Sequence, residues 1–208
     1  MARVVSLRED DHVYQTQDGE EIDSVSHIIR FMPREIYGDV TQWTLDNAAS
    51  RGTKVHKATE VLDKWGEVEC DAETEPYVQA YVKFKREHKP KWVGVERVVF
   101  HPQKNYAGTI DRIGQIGGAF TLADIKCQEQ IKKPMVQAQL NGYADAWEAA
   151  GGEMIARLIC IQLKKDCKYK VHEIERDSTV FNACYTLHKA LEKKRRQKKC
   201  EGTSQADE

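Results

Sequence analysis

"AGTIDRIGQIGGAFTLADIKCQEQ", residues 107–130, decides how this chain is read. Two runs rich in β-branched and apolar residues flank Gly117-Gly118, a pair suited to a tight connection between strands. Yet the first run carries Asp111, and the second carries Asp124-Ile125-Lys126. Charge taken into a core is costly unless it is paired or holds a metal. Side chains two apart on a strand share a face, so Asp124 and Lys126 stand on one side with Phe120 and Leu122. If the two strands pair as a hairpin, Asp111 comes alongside Asp124. Two carboxylates brought together repel and raise each other's pKa. A divalent cation removes that conflict, and hard oxygen ligands suit Mg2+ or Mn2+. Taken alone, Asp-Ile-Lys is a pattern that recurs by chance, and an exposed Asp-Lys pair at a strand end is the better reading of an isolated match.

The same period-2 signal extends outward. "WVGVERVVFHP" (92–102) reads as a strand before the hairpin. A helix from Lys132 to Ala149 follows it, stopped by Gly151-Gly152, and then two more strands, "MIARLICIQL" and "YKVHEIE". A last helix begins near Thr179 and runs into a basic stretch. Toward the N-terminus, "HVYQTQDGEEIDSVSHII" reads as a small hairpin turning at Asp18-Gly19, with Asp23 or Ser24 capping a helix from Val25. Gln42–Trp65 is mainly helical in pattern, interrupted at Arg51-Gly52, with Val55, Thr59, Leu62 and Trp65 on one face. A further helix spans Thr74 to His88, ending before Pro90. Trp43, Trp65, Trp92 and Trp147 lie in apolar-periodic segments and are assigned to the core. The expected fold is α/β (α+β), a mixed central β-sheet flanked by helices. It forms one domain over 1–208: hairpin and helices over 1–50, a core over 51–176, a basic helix over 177–199 and a disordered tail over 200–208.

Composition excludes several classes. With 208 residues, 40% apolar and 31% charged, the chain is long enough for a real core and is neither fibrous nor disordered. Net charge is -1, so no global basicity announces a nucleic-acid partner. Residues 189–199, "KALEKKRRQKK", carry seven basic side chains against one acid, a run read first as a solvated helix end. The six cysteines form no CxxC pair, which argues against a zinc site or a disulfide framework. No apolar run reaches bilayer length and no signal core is present, so no membrane partner and a cytoplasmic location are expected.

Three further features join the hairpin. Gly108-Thr109-Ile110 leads into Asp111, Gln139 and Tyr143 lie one turn apart on the next helix, and His56 and Glu60 share that spacing within "RGTKVHKATE". The ordered set His56, Glu96, Gly108-xx-Asp111, Asp124-x-Lys126 and Gln139-xxx-Tyr143 resembles the PD-(D/E)XK nuclease superfamily. Within it the set is most similar to the RecB-like exonuclease branch, which includes phage exonucleases, CRISPR-associated RecB-like nucleases and the mitochondrial genome-maintenance exonuclease. "RGTKVH" looks like that branch's helical histidine motif, "GTID" its second motif, "DIK" its third and "QLNGY" its QxxxY. "VYQTQDGEEIDSVSHII" is similar to the hairpin-then-SVT opening of small members, and the resemblance spans Val13 to Glu175. The proline usual before the first strand acid is absent, as is common in this branch. Cys160 and Cys167 are seven apart in predicted strands, so the iron–sulfur cluster of some members is not expected.

The resemblance implies a restriction-endonuclease-like core and metal-assisted hydrolysis of DNA phosphodiesters. In that scheme Asp111, Asp124 and the Ile125 carbonyl ligate one or two Mg2+ or Mn2+ ions, and His56 adds a ligand. Lys126 positions or deprotonates the attacking water. Glu96 is compatible with a second-metal or orienting role and equally with a plain strand glutamate. Gln139 and Tyr143 reach the DNA backbone or the lysine; without the family, they are a polar pair on an amphipathic helix. Arg51, Lys132 and Lys133 are candidate phosphate contacts, which add salt-dependent affinity without reading sequence. The expected activity is a DNA exonuclease acting at free ends in phage or bacterial recombination or repair, with residues 42–88 as a candidate helical arch. A structure-specific or nicking endonuclease and a non-catalytic DNA-end-binding module are the alternatives. The oligomeric state is not legible.

Overall fold

Along the chain run β1 (Val5–Arg8), β2 (Val13–Thr16), β3 (Glu21–Ser24), α1 (Val25–Ile28), α2 (Gln42–Trp65), α3 (Glu75–His88), β4 (Lys91–His101), β5 (Tyr106–Ile116), β6 (Ala119–Lys126), α4 (Lys133–Ala149), β7 (Arg157–Leu163), β8 (Tyr169–Ile174) and α5 (Thr179–Thr203). The computed structural model describes residues 4–8, 12–32 and 42–203, and the side chains of all of these except 42–49, 196 and 198–203. Among them, eight strands form one mixed sheet in the order β1-β2-β3-β5-β6-β7-β8, with β4 also on β5.

β5 organises this sheet. Along one edge β4 pairs antiparallel with it from Lys91↔Gln115 to His101↔Tyr106. The other edge is shared: β6 takes the far half, Arg112↔Ala123 to Ile116↔Ala119, and β3 takes only Tyr106 and Ala107 in parallel register. Between the two, Gly108–Asp111 has no ladder partner on that edge, so β3 and β6 leave a notch. β6 and β7 run parallel, which requires a crossover, and α4 supplies it. Its C-terminus closes as expected: Gly151 adopts φ +88, its N–H donates to Glu148 O, and Gly152 N donates to Trp147 O, a Schellman stop.

The sheet is covered on both faces, so the inner strands carry consecutive apolar residues. Tyr106, Ile110, Phe120, Leu122, Leu158 and Cys160 pack against α1, α4 and α5 through Val25, Ile28, Leu140, Tyr143 and Phe181. Ala123, Ile125, Ile159 and Ile161 face the other way, onto Val55, Leu62, Tyr77, Tyr81 and Phe84 of α2 and α3. Among the described residues no helix is long and apolar enough to cross a membrane.

The expected hairpins and the α4 boundaries are observed, with Ser24 rather than Asp23 capping α1 by accepting from His27 N at 3.0 Å. α5 starts at Thr179 as expected but runs on to Thr203, so 200–203, expected in a disordered tail, are helical, and 204–208 lie outside the described residues. Several expectations are corrected. α2 continues through Arg51-Gly52 without interruption, because Val55, Ala58 and Leu62 bury against the sheet and offset the glycine's cost of about 1 kcal/mol. Trp65, expected on that buried face, is 77% exposed because it ends the helix. From Val55 onward α2 and α3 lie packed on the sheet, a layer rather than an arch. Cys167 sits in the turn between β7 and β8 at φ 58, not in a strand. β1 had no strong periodic signal and was not expected. Trp43 and Cys200 have side chains outside the described residues.

Candidate functional site

The notch beside β5 collects the charged residues. Where the β5–β6 ladder stops at Arg112↔Ala123, the Asp111 carboxylate takes over: its Oδ2 accepts from Ile125 N at 2.7 Å. The same oxygen lies 3.5 Å from His56 Nδ1, and His56 Nδ1 lies 3.8 Å from Glu96 Oε1. Ligand atoms of His56, Glu96 and Asp111 all fall within 4.8 Å of one another. Asp124 is not part of that closest group. Its Oδ1 accepts from Lys126 Nζ at 2.6 Å, while its Oδ2 is buried with no hydrogen-bond partner. Across the notch, Gln139 Nε2 donates to Tyr143 OH at 3.0 Å, and Tyr143 packs on Gly108. A Cβ at position 108 would meet the Tyr143 ring at 2.4 Å, which explains the glycine there.

Local geometry is irregular at this point. Adjacent strand residues normally point to opposite faces. Here Asp111 reaches His56 and Arg112 reaches Thr59 and Asp63, all on α2. Opposite them, between the pairs Val95↔Arg112 and Arg97↔Ile110, Glu96 adopts φ +48, a conformation that costs a non-glycine residue about 1–3 kcal/mol. Arg112 holds the distortion together. Fully buried, it donates from Nε to Asp63 Oδ2 at 2.6 Å, from Nη1 to Glu96 Oε1 at 3.0 Å and to Asp111 O at 2.6 Å, and from Nη2 to Thr59 Oγ1 at 3.1 Å. Tyr81 OH donates to the same Asp63 carboxylate at 2.6 Å.

The electrostatics follow from burial against this charge. Burial opposes charging of His56, but the Asp111 and Glu96 carboxylates outweigh it and lift the imidazole from 6.5 to about 9. Burial pushes the Asp124 carboxyl up, against the pull of the Lys126 ammonium. Lys126 is held charged: burial disfavours the ammonium, and the Asp124 and Asp111 carboxylates override it. Burial likewise raises the Tyr143 phenol.

The expected set His56, Glu96, Asp111, Asp124, Ile125, Lys126, Gln139 and Tyr143 is therefore gathered around one notch. Glu60, paired with His56 by spacing, is not: it binds Lys57 and Lys64 on the outer side of α2. The charge of Arg51 is felt at Tyr77, and that of exposed Lys133 at His172 of β8. Lys132 stands at the N-cap of α4. Two contributors escaped the sequence reading. Arg112 was legible as a charge in an apolar strand, and Asp63 as the residue at i+7 from His56, on the helix face that also carries Thr59.

The donor set fits a hard divalent ion. An orphaned buried carboxylate oxygen costs about 1–3 kcal/mol or more; Asp124 Oδ2 is such an atom, and its carboxyl feels the charges of Asp111 and His56.

No protein-family model matches the sequence, and no curated protein sequence matches it. Among solved structures, the chain is similar to an alkaline exonuclease (LHK-Exo) from Laribacter hongkongensis, at 18% identity and a TM-score of 0.43 over 86% of this chain and 93% of that one. The complex of LHK-Exo with dAMP is similar at 14% identity and a TM-score of 0.44, over 88% and 94% of the two chains.

Proposed function

We propose that the protein is a metal-dependent deoxyribonuclease that hydrolyses phosphodiester bonds from free DNA ends. One observation carries the reading: where the β5–β6 ladder stops, Asp111 accepts from Ile125 N, and Asp124 holds a half-buried lysine on one oxygen while its other oxygen is buried without a hydrogen-bond partner. A structural ion pair has no use for the second acid, whereas a cation and a phosphate account for all three charges.

Asp111, Asp124 and the Ile125 carbonyl would hold Mg2+ or Mn2+, with His56 as a further ligand and Glu96 held ready by Arg112. When bound, the ion polarises a phosphoryl oxygen and lowers the pKa of its water. The protein's own groups do the rest. Asp111 keeps its carboxylate aimed through the Ile125 N–H. Lys126, permanently charged, orients the attacking water and stabilises charge developing on phosphorus oxygens. Tyr143, pinned by Gln139 and Gly108, offers a hydroxyl to the DNA backbone next to Lys126. Arg51, Lys132 and Lys133 add phosphate contacts without base reading.

The test is cleavage of end-labelled linear DNA with Mg2+ or Mn2+ by the wild type, Asp111→Asn and Asp124→Asn. The wild type should cut, and both variants should lose cleavage together with Mn2+ binding by calorimetry. Undiminished Mn2+ binding in the double variant would remove the proposed centre.

A further inference from the structure

Away from the notch, α5 crosses the β3–α1 corner over a second group of ligand-type side chains. Asp23 belongs to β3, and His188 and Glu192 stand one turn apart on α5. The His188 imidazole is withdrawn from water at 1% exposure, and its Nε2 is paired with the Asp23 carboxylate. That nitrogen is aimed between two carboxylates, 3.0 Å from Asp23 Oδ2 and 3.8 Å from Glu192 Oε1. The three ligand atoms lie within 4.8 Å of one another. Ligands on a common ion at its usual bond lengths stand roughly 3–4 Å apart, so little movement is needed. Two neighbours complete the corner: Lys189 Nζ sits 2.8 Å from Asp23 Oδ2 and 3.4 Å from Glu192 Oε2, and His27 Nδ1 sits 3.4 Å from Asp23 Oδ1.

We propose that Asp23, His188 and Glu192 form a binding site for a divalent transition ion of the Zn2+ class. One imidazole and two carboxylates are a donor set such an ion takes. Lys189 supplies the neutralising charge in the ion's absence; it is on the rim, about a third exposed, and its long stem can swing the ammonium into water. The ion would tie strand β3 to the C-terminal helix, so its binding free energy becomes stability of that corner.

Zn2+ titration of the full chain in saturating Mg2+, followed by calorimetry and thermal unfolding, tests this. The wild type should bind a Zn2+ equivalent that persists in His56→Gln, and gain Tm. Loss of an outer-shell partner typically weakens a metal about 10- to 100-fold, and Glu192→Gln and His188→Gln should each exceed that. Lys189→Met, which removes the competing cation, should tighten Zn2+ several-fold. His56→Gln should leave this Zn2+ in place, which separates the site from the notch. Absence of Zn2+ binding, or Zn2+ lost with His56→Gln and kept with Glu192→Gln, overturns the proposal. Should His188→Gln fail to fold, Lys189→Met still decides: a plain ion-pair network would lose stability and gain no Zn2+ affinity.

Discussion

Lys126 directs its ammonium at Asp124 Oδ1 from 2.6 Å, and an ammonium has no lone pair for a metal. Under the proposed function its contribution belongs to the chemical step. Lys126→Ala should cut DNA on the order of 100- to 1000-fold more slowly while binding Mn2+ like the wild type. An equal loss of Mn2+ affinity would move Lys126 from chemistry to site architecture. His56 gives a pH signature. Its folded-state pKa lies near 9, above the ordinary 6.5, so in metal-free protein it contributes stability that is fully present below about 6.5 and lost as pH rises through about 9. A ligand must shed that proton first, so Mn2+ affinity should climb across the same interval and flatten in His56→Gln. These residues were legible because paired acids and a lysine in an apolar strand demand an explanation. Glu96 was half-legible: its identity was visible, but its φ of +48 depends on how β4 is held against Asp111 and Arg112.

At the level of elements, β5 carries the site because its edge changes partner from β3 to β6. Arg112 braces the gap by joining β5 to Glu96 of β4 and Asp63 of α2. Removing one member of a buried ion-pair group costs about 3–5 kcal/mol, and Arg112→Met should show that loss in urea unfolding. A cost within 0.5 kcal/mol would mean the carboxylates do not need it. Gly108→Ala forces a methyl into the Tyr143 ring, and overpacking of this kind costs about 1–3 kcal/mol. The strand and helix boundaries around this region follow from periodicity, Gly117-Gly118 and Gly151-Gly152, all local signals. What escaped was non-local. Gly52 reads as a break until the burial of Val55, Ala58 and Leu62 is known, and Trp65 follows the apolar period but projects beyond the sheet. Trp65→Ala, at so exposed a site, should change stability by no more than about 0.5 kcal/mol.

Across the described residues, two helical layers sandwich one mixed sheet, and the proposed centre lies where that sheet splits. The fold class was readable because periodicity and Gly117-Gly118 mark the hairpin whose strands carry Asp111 and Asp124. The way DNA enters was not, since no local pattern links the basic candidates Arg51, Lys132 and Lys133 to the notch. Phosphate contacts of this kind carry no sequence information and weaken with salt, so digestion should be nearly sequence-independent and fall steeply as salt rises. The most direct measurement of the central claim sets end-labelled linear DNA beside covalently closed single- and double-stranded circles, with Mg2+ or Mn2+ and the wild-type chain. Linear DNA reduced to short products while both circles survive is the expected result. No metal-dependent cleavage of any substrate would contradict the nuclease assignment, and rapid cutting of the single-stranded circle would contradict the need for an end.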